Sequence, residues 1–150
     1  MKPSFSIILT CSLLLFVAGC KEKNSPENNL SGNSEPPSWT APVEYDYTSS
    51  MTAVIKVDLT LQYPDQASDF VIDNKDVLAA FSGENCLGVA SPQEGLFFLF
   101  MVGAEGSVTL RYYSAHYKNI FVAENAFSFR NDENLGTVAE PLKPVFKMEK

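Results

Sequence analysis

The chain has few of the residues on which disulfide scaffolds, zinc sites and nucleic-acid surfaces depend. Its 150 residues include only three Cys, one His and one Trp. Lys and Arg number 11 against 18 Asp and Glu, so the formal net charge is −7. Phosphate backbones attract clustered positive charge, and this balance therefore argues against nucleic acid as a partner. Zinc hydrolase chemistry is excluded as well, because a single His leaves no second imidazole ligand.

Long hydrophobic runs are also scarce, since the chain has one, at its N-terminus. Residues 5–17 are mostly apolar and follow the positive charge of Lys2. This run is too short to cross a bilayer comfortably, and it has the length and flanking residues of a signal peptide. The sequence therefore excludes a multi-span membrane protein and predicts a secretory signal.

The end of this run carries the most specific motif of the chain, Val17, Ala18, Gly19 and Cys20. An aliphatic residue, two small residues and a Cys in this place resemble the lipobox of bacterial lipoproteins. The resemblance implies that residues 1–19 are cleaved, that the Cys20 thiol carries a diacylglyceryl group and that the new N-terminus is acylated. Two or three acyl chains hold a protein firmly in a bilayer, whereas one holds it marginally. A plain secretory signal ending near a Cys is the alternative.

The residue after the predicted lipidation site bears on the membrane in question. Enteric inner-membrane lipoproteins carry an Asp there as a retention signal, and this chain carries Lys21. The resemblance therefore implies attachment to the outer membrane. Residues 21–23 only partly resemble the short charged motif that exports some Bacteroidota lipoproteins to the cell surface, so the periplasmic and the cell-surface face both stay open.

Composition divides the rest of the chain into a tether and a domain. Residues 21–38 are rich in Pro, Asn and Ser and contain no aromatic side chain. Such a segment cannot bury enough apolar area to offset its ordering entropy, so residues 20–38 are predicted to be a lipidated Cys and a flexible tether. Its r.m.s. span is about 23–25 Å. Residues 39–150 are predicted to form one domain.

The domain has a β pattern throughout. Apolar and polar residues alternate over residues 51–62, which predicts a half-buried strand, whereas residues 96–102 are apolar on both faces, which predicts a central strand. Turn residues recur every eight to twelve positions without any helical period. The sequence predicts an all-β, antiparallel two-sheet β-sandwich, immunoglobulin-like, with about seven to nine strands. The other predicted strands are residues 77–81, 86–90, 107–113, 120–123, 126–129 and 135–139.

A family resemblance rests on Trp39, on the hairpin DVLAAFSGENCLGVA at residues 76–90 and on Leu-Gly-Thr at residues 135–137. These resemble the small β-sandwich modules of secreted and surface proteins of Bacteroidota, which carry an AAF…GECRGVA hairpin. The similarity covers residues 39–142 and implies the fold and the envelope location. Asn85 stands where the pattern usually has an acid and Leu87 where it has Arg, so a ligand role for that Arg is not implied here.

The predicted domain contains one Cys, Cys86, and one His, His116. Cys86 has no disulfide partner, because Cys11 leaves with the signal and Cys20 is lipidated. It is predicted to be a buried small hydrophobe, with an intermolecular disulfide as the alternative. His116 lies in a predicted loop without a G-x-S-x-G elbow elsewhere in the chain, so it is predicted to be a solvated loop residue.

Four oxygen-bearing residues crowd one loop, Asp69, Asp73, Asn74 and Asp76. Calcium takes six to eight oxygen ligands, so Asp69, Asp73 and Asp76 are candidates for a metal site. The EF-hand spacing is not met and no Gly shapes the turn, which favours solvated turn carboxylates. The same acids are candidates for a glycosidase pair, which only their separation in space decides. No cofactor is predicted.

The best binding candidates are aromatic. Arg111 and Tyr113 alternate with Tyr112 on one strand, Tyr117 follows in a loop, and Trp39 opens the domain. Exposed rings with polar neighbours stack on sugars, so Trp39, Arg111, Tyr113 and Tyr117 are a candidate ligand surface. The alternative is that these rings pack against the core or its edges.

These observations predict an outer-membrane lipoprotein anchored through Cys20. Its domain is predicted to be a non-catalytic binding or accessory module for a glycan or a partner envelope protein. A structural subunit of a surface assembly, docking through an edge strand, is one alternative. A small hydrolase that uses the loop of residues 69–76 is the other.

Overall fold

The structure is a computed structural model that describes residues 30–43 and 48–149. The predicted signal peptide and lipobox, including Cys20, lie outside the described residues. Within those residues the chain forms ten strands and one short 3-10 turn. The strands are β1 Ser50–Ile55, β2 Val77–Ser82, β3 Asn85–Ala90, β4 Pro92–Gln93, β5 Leu96–Val102, β6 Gly106–Ser114, β7 Asn119–Ala123, β8 Phe127–Phe129, β9 Asn134–Leu135 and β10 Phe146–Met148.

The strands form two sheets, which confirms the predicted all-β fold and is consistent with a β-sandwich. One sheet has the order β4-β5-β1-β9, and the other has β10-β7-β6-β2-β3, with β8 paired to β6. The pairing is antiparallel except between β1 and β9, which run parallel at Thr52 and Ala53. Ten strands exceed the predicted number, because four of them are only two or three residues long and carry no detectable alternation of their own.

Period-two alternation places the core between the sheets. Along β1, Met51, Ala53 and Ile55 are buried, while the residues between them are partly exposed. The same alternation holds along β5 and β6. Every second side chain of these strands is buried on the face that packs against the other sheet. The fully buried inner residues of these two strands are Phe97, Leu99, Met101, Val108, Leu110 and Tyr112.

The predicted long strand over residues 51–62 is wrong in its second half. β1 ends at Ile55, and Leu59–Leu61 form the 3-10 turn. The Asp58 carboxylate accepts hydrogen bonds from the Thr60 N–H at 3.0 Å and from the Thr60 hydroxyl at 2.6 Å. Asp side chains compete with sheet pairing in this way, which alternation of apolar residues does not reveal.

The predicted β2–β3 hairpin is confirmed, and it brings the two sheets into backbone contact. Its turn uses Gly83, which has a φ of 58° that favours glycine. In β3, a Cβ added to Gly88 would lie 2.1 Å from the Phe100 carbonyl oxygen of β5. A side chain cannot occupy that space, so glycine at this position permits the close approach of β3 and β5.

β5 is an inner strand of its sheet, as predicted, but only one of its faces is buried. It lies between β4 and β1 in the four-stranded sheet, and Phe97, Leu99 and Met101 face the core. Phe98 and Phe100 point the other way and are 43% and 41% exposed. The predicted central strand is therefore confirmed, while its outer face remains partly open to solvent.

The chain enters the fold earlier than the composition indicates. Leu30 is only 1% exposed and belongs to the core. The Gly32 N–H donates to the Tyr117 carbonyl at 2.8 Å, and the Ser34 N–H donates to the Lys118 carbonyl at 2.9 Å. The flexible tether that was predicted to reach residue 38 therefore does not include residues 30–34. We call residues 30–41 the strap.

Candidate functional site

Asp76 is a buried structural carboxylate, so the prediction of a solvated turn residue is wrong for it. One oxygen accepts the Tyr112 hydroxyl at 2.5 Å and the Asp73 N–H at 3.0 Å, and the other accepts the Ala115 N–H at 2.8 Å. Burial raises the pKa of Asp76, and the hydrogen bonds from Tyr112 and Ala115 oppose that rise. The carboxylate thereby joins the loop before β2 to the loop after β6.

Asp69 is exposed and binds two side chains of the β6–β7 loop. Its Oδ1 accepts the Tyr117 hydroxyl at 2.9 Å, and its Oδ2 lies 3.1 Å from His116 Nε2. These bonds, first Tyr117 and then His116, lower the pKa of Asp69. Burial, together with the bond to Asp69, raises the pKa of Tyr117 to about 12. His116 is thus exposed as predicted, but it is also paired.

The three candidate metal ligands do not converge. Within residues 30–43 and 48–149, no group of three His, Cys, Asp or Glu side chains is arranged to hold a metal ion. Both Asp76 oxygens face N–H and O–H donors, which a cation would have to displace. The hydrogen bonds of Asp69 and Asp76 instead connect loops, and this arrangement gives no support to a calcium site or to a glycosidase pair.

The structure separates the four predicted ligand-binding residues. Tyr113 and Tyr117 are 3% and 5% exposed, so neither offers a ring face to a ligand. Tyr117 lies within the core and stacks on Phe70, with ring centroids 6.4 Å apart. The Tyr113 hydroxyl donates to the Ser34 carbonyl of the strap at 3.4 Å. For both tyrosines the structure agrees with the packing alternative.

Trp39 and Arg111, in contrast, meet at one point on the outer face of the larger sheet. The half-buried Trp39 ring packs edge-on against Phe81, with centroids 5.6 Å apart. The Arg111 guanidinium lies 4.7 Å from the centroid of the same ring. Arg111 also approaches Glu84 at 3.6 Å and Glu149 at 3.9 Å. The Trp39 ring and the Arg111 guanidinium are thus already engaged with protein groups, which leaves less of either side chain free to contact a ligand.

A polar pocket of about 520 Å³ lies beside this cluster, between the β2–β3 and β5–β6 turns. Cys86 is half-buried in its lining, and its Sγ lies 3.6 Å from the Gly88 carbonyl oxygen. Burial raises the pKa of the thiol, which keeps it protonated and unreactive at neutral pH. The other lining residues are Thr40, Ser82, Glu84, Asn85, Leu87, Gly103, Ala104 and Glu105.

Sequence reasoning missed the exposed rings of Phe98 and Phe100, which we call the aromatic strip. Phe98 pairs with Val54 and Phe100 with Thr52 across the β1–β5 ladder, and these four residues line a shallow depression of about 210 Å³. The Thr52 hydroxyl is hydrogen-bonded to the Asn134 side-chain oxygen at its rim. The signal was present in LFFLFMV, because a strand that is apolar on both faces exposes one of them when nothing covers it.

The described residues thus define an all-β, two-sheet protein with an exposed aromatic strip on its smaller sheet. None of those residues belongs to a helix that is long and apolar enough to cross a membrane. No protein-family model matches the chain, and comparison with curated proteins and with solved structures gave no match either.

Proposed function

We propose that this chain is an outer-membrane lipoprotein, anchored through lipid on Cys20, whose β-sandwich is a non-catalytic binding or accessory module. The motif from Val17 to Cys20 supports the anchor. The aromatic strip is the single observation that carries the binding function. Two large apolar rings are exposed on one sheet face, and a partner that covers them removes apolar area from water, which is favourable.

The geometry of the strip suits an extended ligand. Phe98 and Phe100 lie two residues apart on one strand, so their Cα atoms are about 6.7 Å apart and their rings project from the same face. The hydrogen-bonded pair of Thr52 and Asn134 adds polar groups at the rim. An apolar ring face beside hydrogen-bonding groups is how β-sandwich modules contact sugars, and we propose a glycan polymer as the ligand.

The hydrogen bonds of Asp69 and Asp76 favour a binding function over hydrolysis. Asp76 is buried under three donors, and Asp69 is engaged with Tyr117 and His116. A general acid or base needs access to substrate. In this fold Asp76 has no exposure to solvent, and both oxygens of Asp69 are hydrogen-bonded to the β6–β7 loop.

The test is a binding screen on the chain from residue 20 onward with Cys20→Ser, which removes the lipid without altering the described residues. We expect saturable binding to at least one member of a broad polysaccharide panel, weakened about tenfold by the double change of Phe98→Ala and Phe100→Ala. Leu61→Ala is the matched control, because Leu61 is an exposed apolar residue outside the strip. A screen without saturable binding would overturn the glycan ligand.

A second candidate, a structural subunit that docks through protein contacts, is favoured by the identity of the two rings. Phe lacks the hydroxyl or indole N–H that Tyr and Trp offer to a wet ligand. A photo-crosslinking residue in place of Phe98 should then capture one defined neighbour in cells, and the same residue in place of Leu61 should not. Polysaccharide binding by the strip together with an empty crosslink would remove this candidate.

A further inference from the structure

We propose that the strap holds the sandwich with the β6–β7 end toward the membrane and the opposite end, with its polar pocket, facing away. The proposal rests on the lipid attachment at Cys20 that is part of the proposed function. Its own content is the orientation of the domain, which follows from where the strap joins the fold. The anchored end comprises residues 73–76 and 114–119, and the outer end comprises residues 83–84 and 103–105.

The strap begins with a set of contacts to the β6–β7 loop. Leu30 is buried in the core, and its carbonyl oxygen accepts a hydrogen bond from Asn119 Nδ2 at 3.1 Å. Gly32 lies so close to this loop that an added Cβ would be 2.9 Å from the Lys118 carbonyl oxygen. Together with the Gly32 and Ser34 amide bonds, these contacts make residues 30–34 a part of the fold at this end.

From there the strap runs along the outer face of the larger sheet. The Ser34 carbonyl oxygen meets the Tyr113 hydroxyl near the end of β6, whereas Trp39 meets Phe81 near the end of β2. Because β2 and β6 are antiparallel, with Val77 opposite Tyr113 and Phe81 opposite Thr109, these two contacts lie at opposite ends of the sheet. Ala79, which lies between them on this face, is fully buried, as that course requires.

This course brings the fold closer in sequence to Cys20. Nine residues separate Cys20 from Leu30, and a flexible chain of nine residues has an r.m.s. span of about 15–18 Å, compared with about 23–25 Å for a chain of eighteen. The strand β6, from Gly106 to Ser114, is about 26 Å long. A tether shorter than the domain keeps the end at which it enters near the lipid headgroups, and the other end is directed outward.

The orientation decides which surfaces meet which neighbours. Lys75, His116 and Lys118 are exposed at the anchored end and face the headgroup region. The polar pocket lined by Ser82, Glu84, Asn85 and Glu105 lies at the outer end. A soluble partner that approaches the membrane from the solvent therefore meets the pocket first. The aromatic strip lies on a side of the sandwich and is open to a polymer that runs parallel to the membrane.

The test uses the full lipidated chain with Cys86→Ser, in vesicles of phosphatidylethanolamine and phosphatidylglycerol that contain headgroup-spin-labelled lipid. A fluorophore is attached to Lys75→Cys at the anchored end or to Glu105→Cys at the outer end, both exposed sites. We expect quenching to be at least about twofold stronger at residue 75. Equal quenching, or stronger quenching at residue 105, would overturn the orientation.

Two variants link the result to the strap. Gly32→Val should release the strap and remove the quenching difference, while circular dichroism confirms that the sheets remain folded. A ten-residue Gly/Ser insertion after Asn29 should reduce the difference, because the r.m.s. span of a flexible chain grows by about 40% when its length roughly doubles. A difference that survives both changes would contradict the strap as its cause.

Co-sedimentation with vesicles separates this proposal from the anchor itself. A chain that does not sediment overturns the lipid attachment and the orientation with it. A chain that sediments, and loses sedimentation with Cys20→Ala, but shows equal quenching at the two labels overturns the orientation alone.

Discussion

The Tyr112 hydroxyl donates a 2.5 Å hydrogen bond to the Asp76 carboxylate, and both side chains are fully buried. Tyr112 lies at the centre of the aromatic core, with the rings of Phe97 and Phe146 at 5.9 and 5.8 Å. Burial raises the pKa of both members of the pair, and the Asp76 charge raises that of Tyr112 further. The bond thus ties the loop before β2 to the middle of the sandwich.

Removing the Asp76 carboxylate should destabilise the fold strongly. Asp76→Ala leaves the Tyr112 hydroxyl and two backbone N–H groups without their acceptor, and we expect a loss of about 3–5 kcal/mol in the free energy of unfolding. Asp65→Ala, at an exposed turn, is the control and should change it by less than about 0.5 kcal/mol. Urea unfolding measures both, and equal values for the two variants would contradict a structural role for Asp76.

The pH dependence of Asp69 has a definite sign. Its pKa in the folded chain is lowered from 3.8, so its stabilising contribution is present above that value and is lost as the pH falls through the folded-state pKa. Asp69→Asn should therefore be less stable than the native chain at pH 6, with a difference that shrinks on acidification. A thermal-unfolding series over pH 2–6 checks this. A gap that stays constant over that range would show that the charge of Asp69 is irrelevant.

For Asp76, the change of stability with pH should have the opposite sign. Its pKa is raised above 3.8 by burial, so the folded chain binds more protons than the unfolded one between the two values, and stability from this group falls as the pH rises through that window. Asp76→Asn removes that dependence, since the amide does not titrate. The advantage of the native chain over this variant should be largest at the acidic end, and a larger advantage at neutral pH would reverse the sign argued here.

Leu30 should contribute to stability like a core residue, although it lies in a stretch with the composition of a tether. Leu30→Ala should lower the free energy of unfolding by about 2–5 kcal/mol, because it opens a cavity in the core. Leu61→Ala, which trims an exposed side chain, should cost less than about 0.5 kcal/mol. Hydrogen exchange gives an independent readout, in which the Gly32 and Ser34 amides should be protected. Free exchange at both would mean that the strap is not docked.

Two glycines of the hairpin should differ in their tolerance of a methyl group. Gly88→Ala places a Cβ 2.1 Å from the Phe100 carbonyl oxygen, so β3 and β5 must separate, at a cost of about 3 kcal/mol. Gly83→Ala meets no atom within 4 Å and should cost about 1–2 kcal/mol through its positive φ. Urea midpoints compare them. The reverse order would show that the contact between β3 and β5 relaxes easily.

The accuracy of the sequence predictions depended on how local their physical basis was. The hairpin between Val77 and Ala90 was predictable, because two short apolar runs around Gly83 are decided within fifteen or so residues. The end of β1 was not, since the Asp58 cap leaves the apolar alternation unchanged. The predicted exposure of the candidate ligand residues was wrong for a different reason. Alternation gives the face of a strand on which Tyr113 lies, but it does not show which segment covers that face.

By itself, the sequence determined the all-β class, the alternation that builds the core and the motif that ends in Cys20, because these depend on side-chain period and residue type. Only the tertiary structure decided that the strap covers Tyr113, that Asp76 is buried beneath Tyr112 and that Phe98 and Phe100 are exposed. Each of these depends on which distant segment lies against a given face. Composition and local propensity do not specify such contacts, since they arise only when the two sheets and the strap pack together.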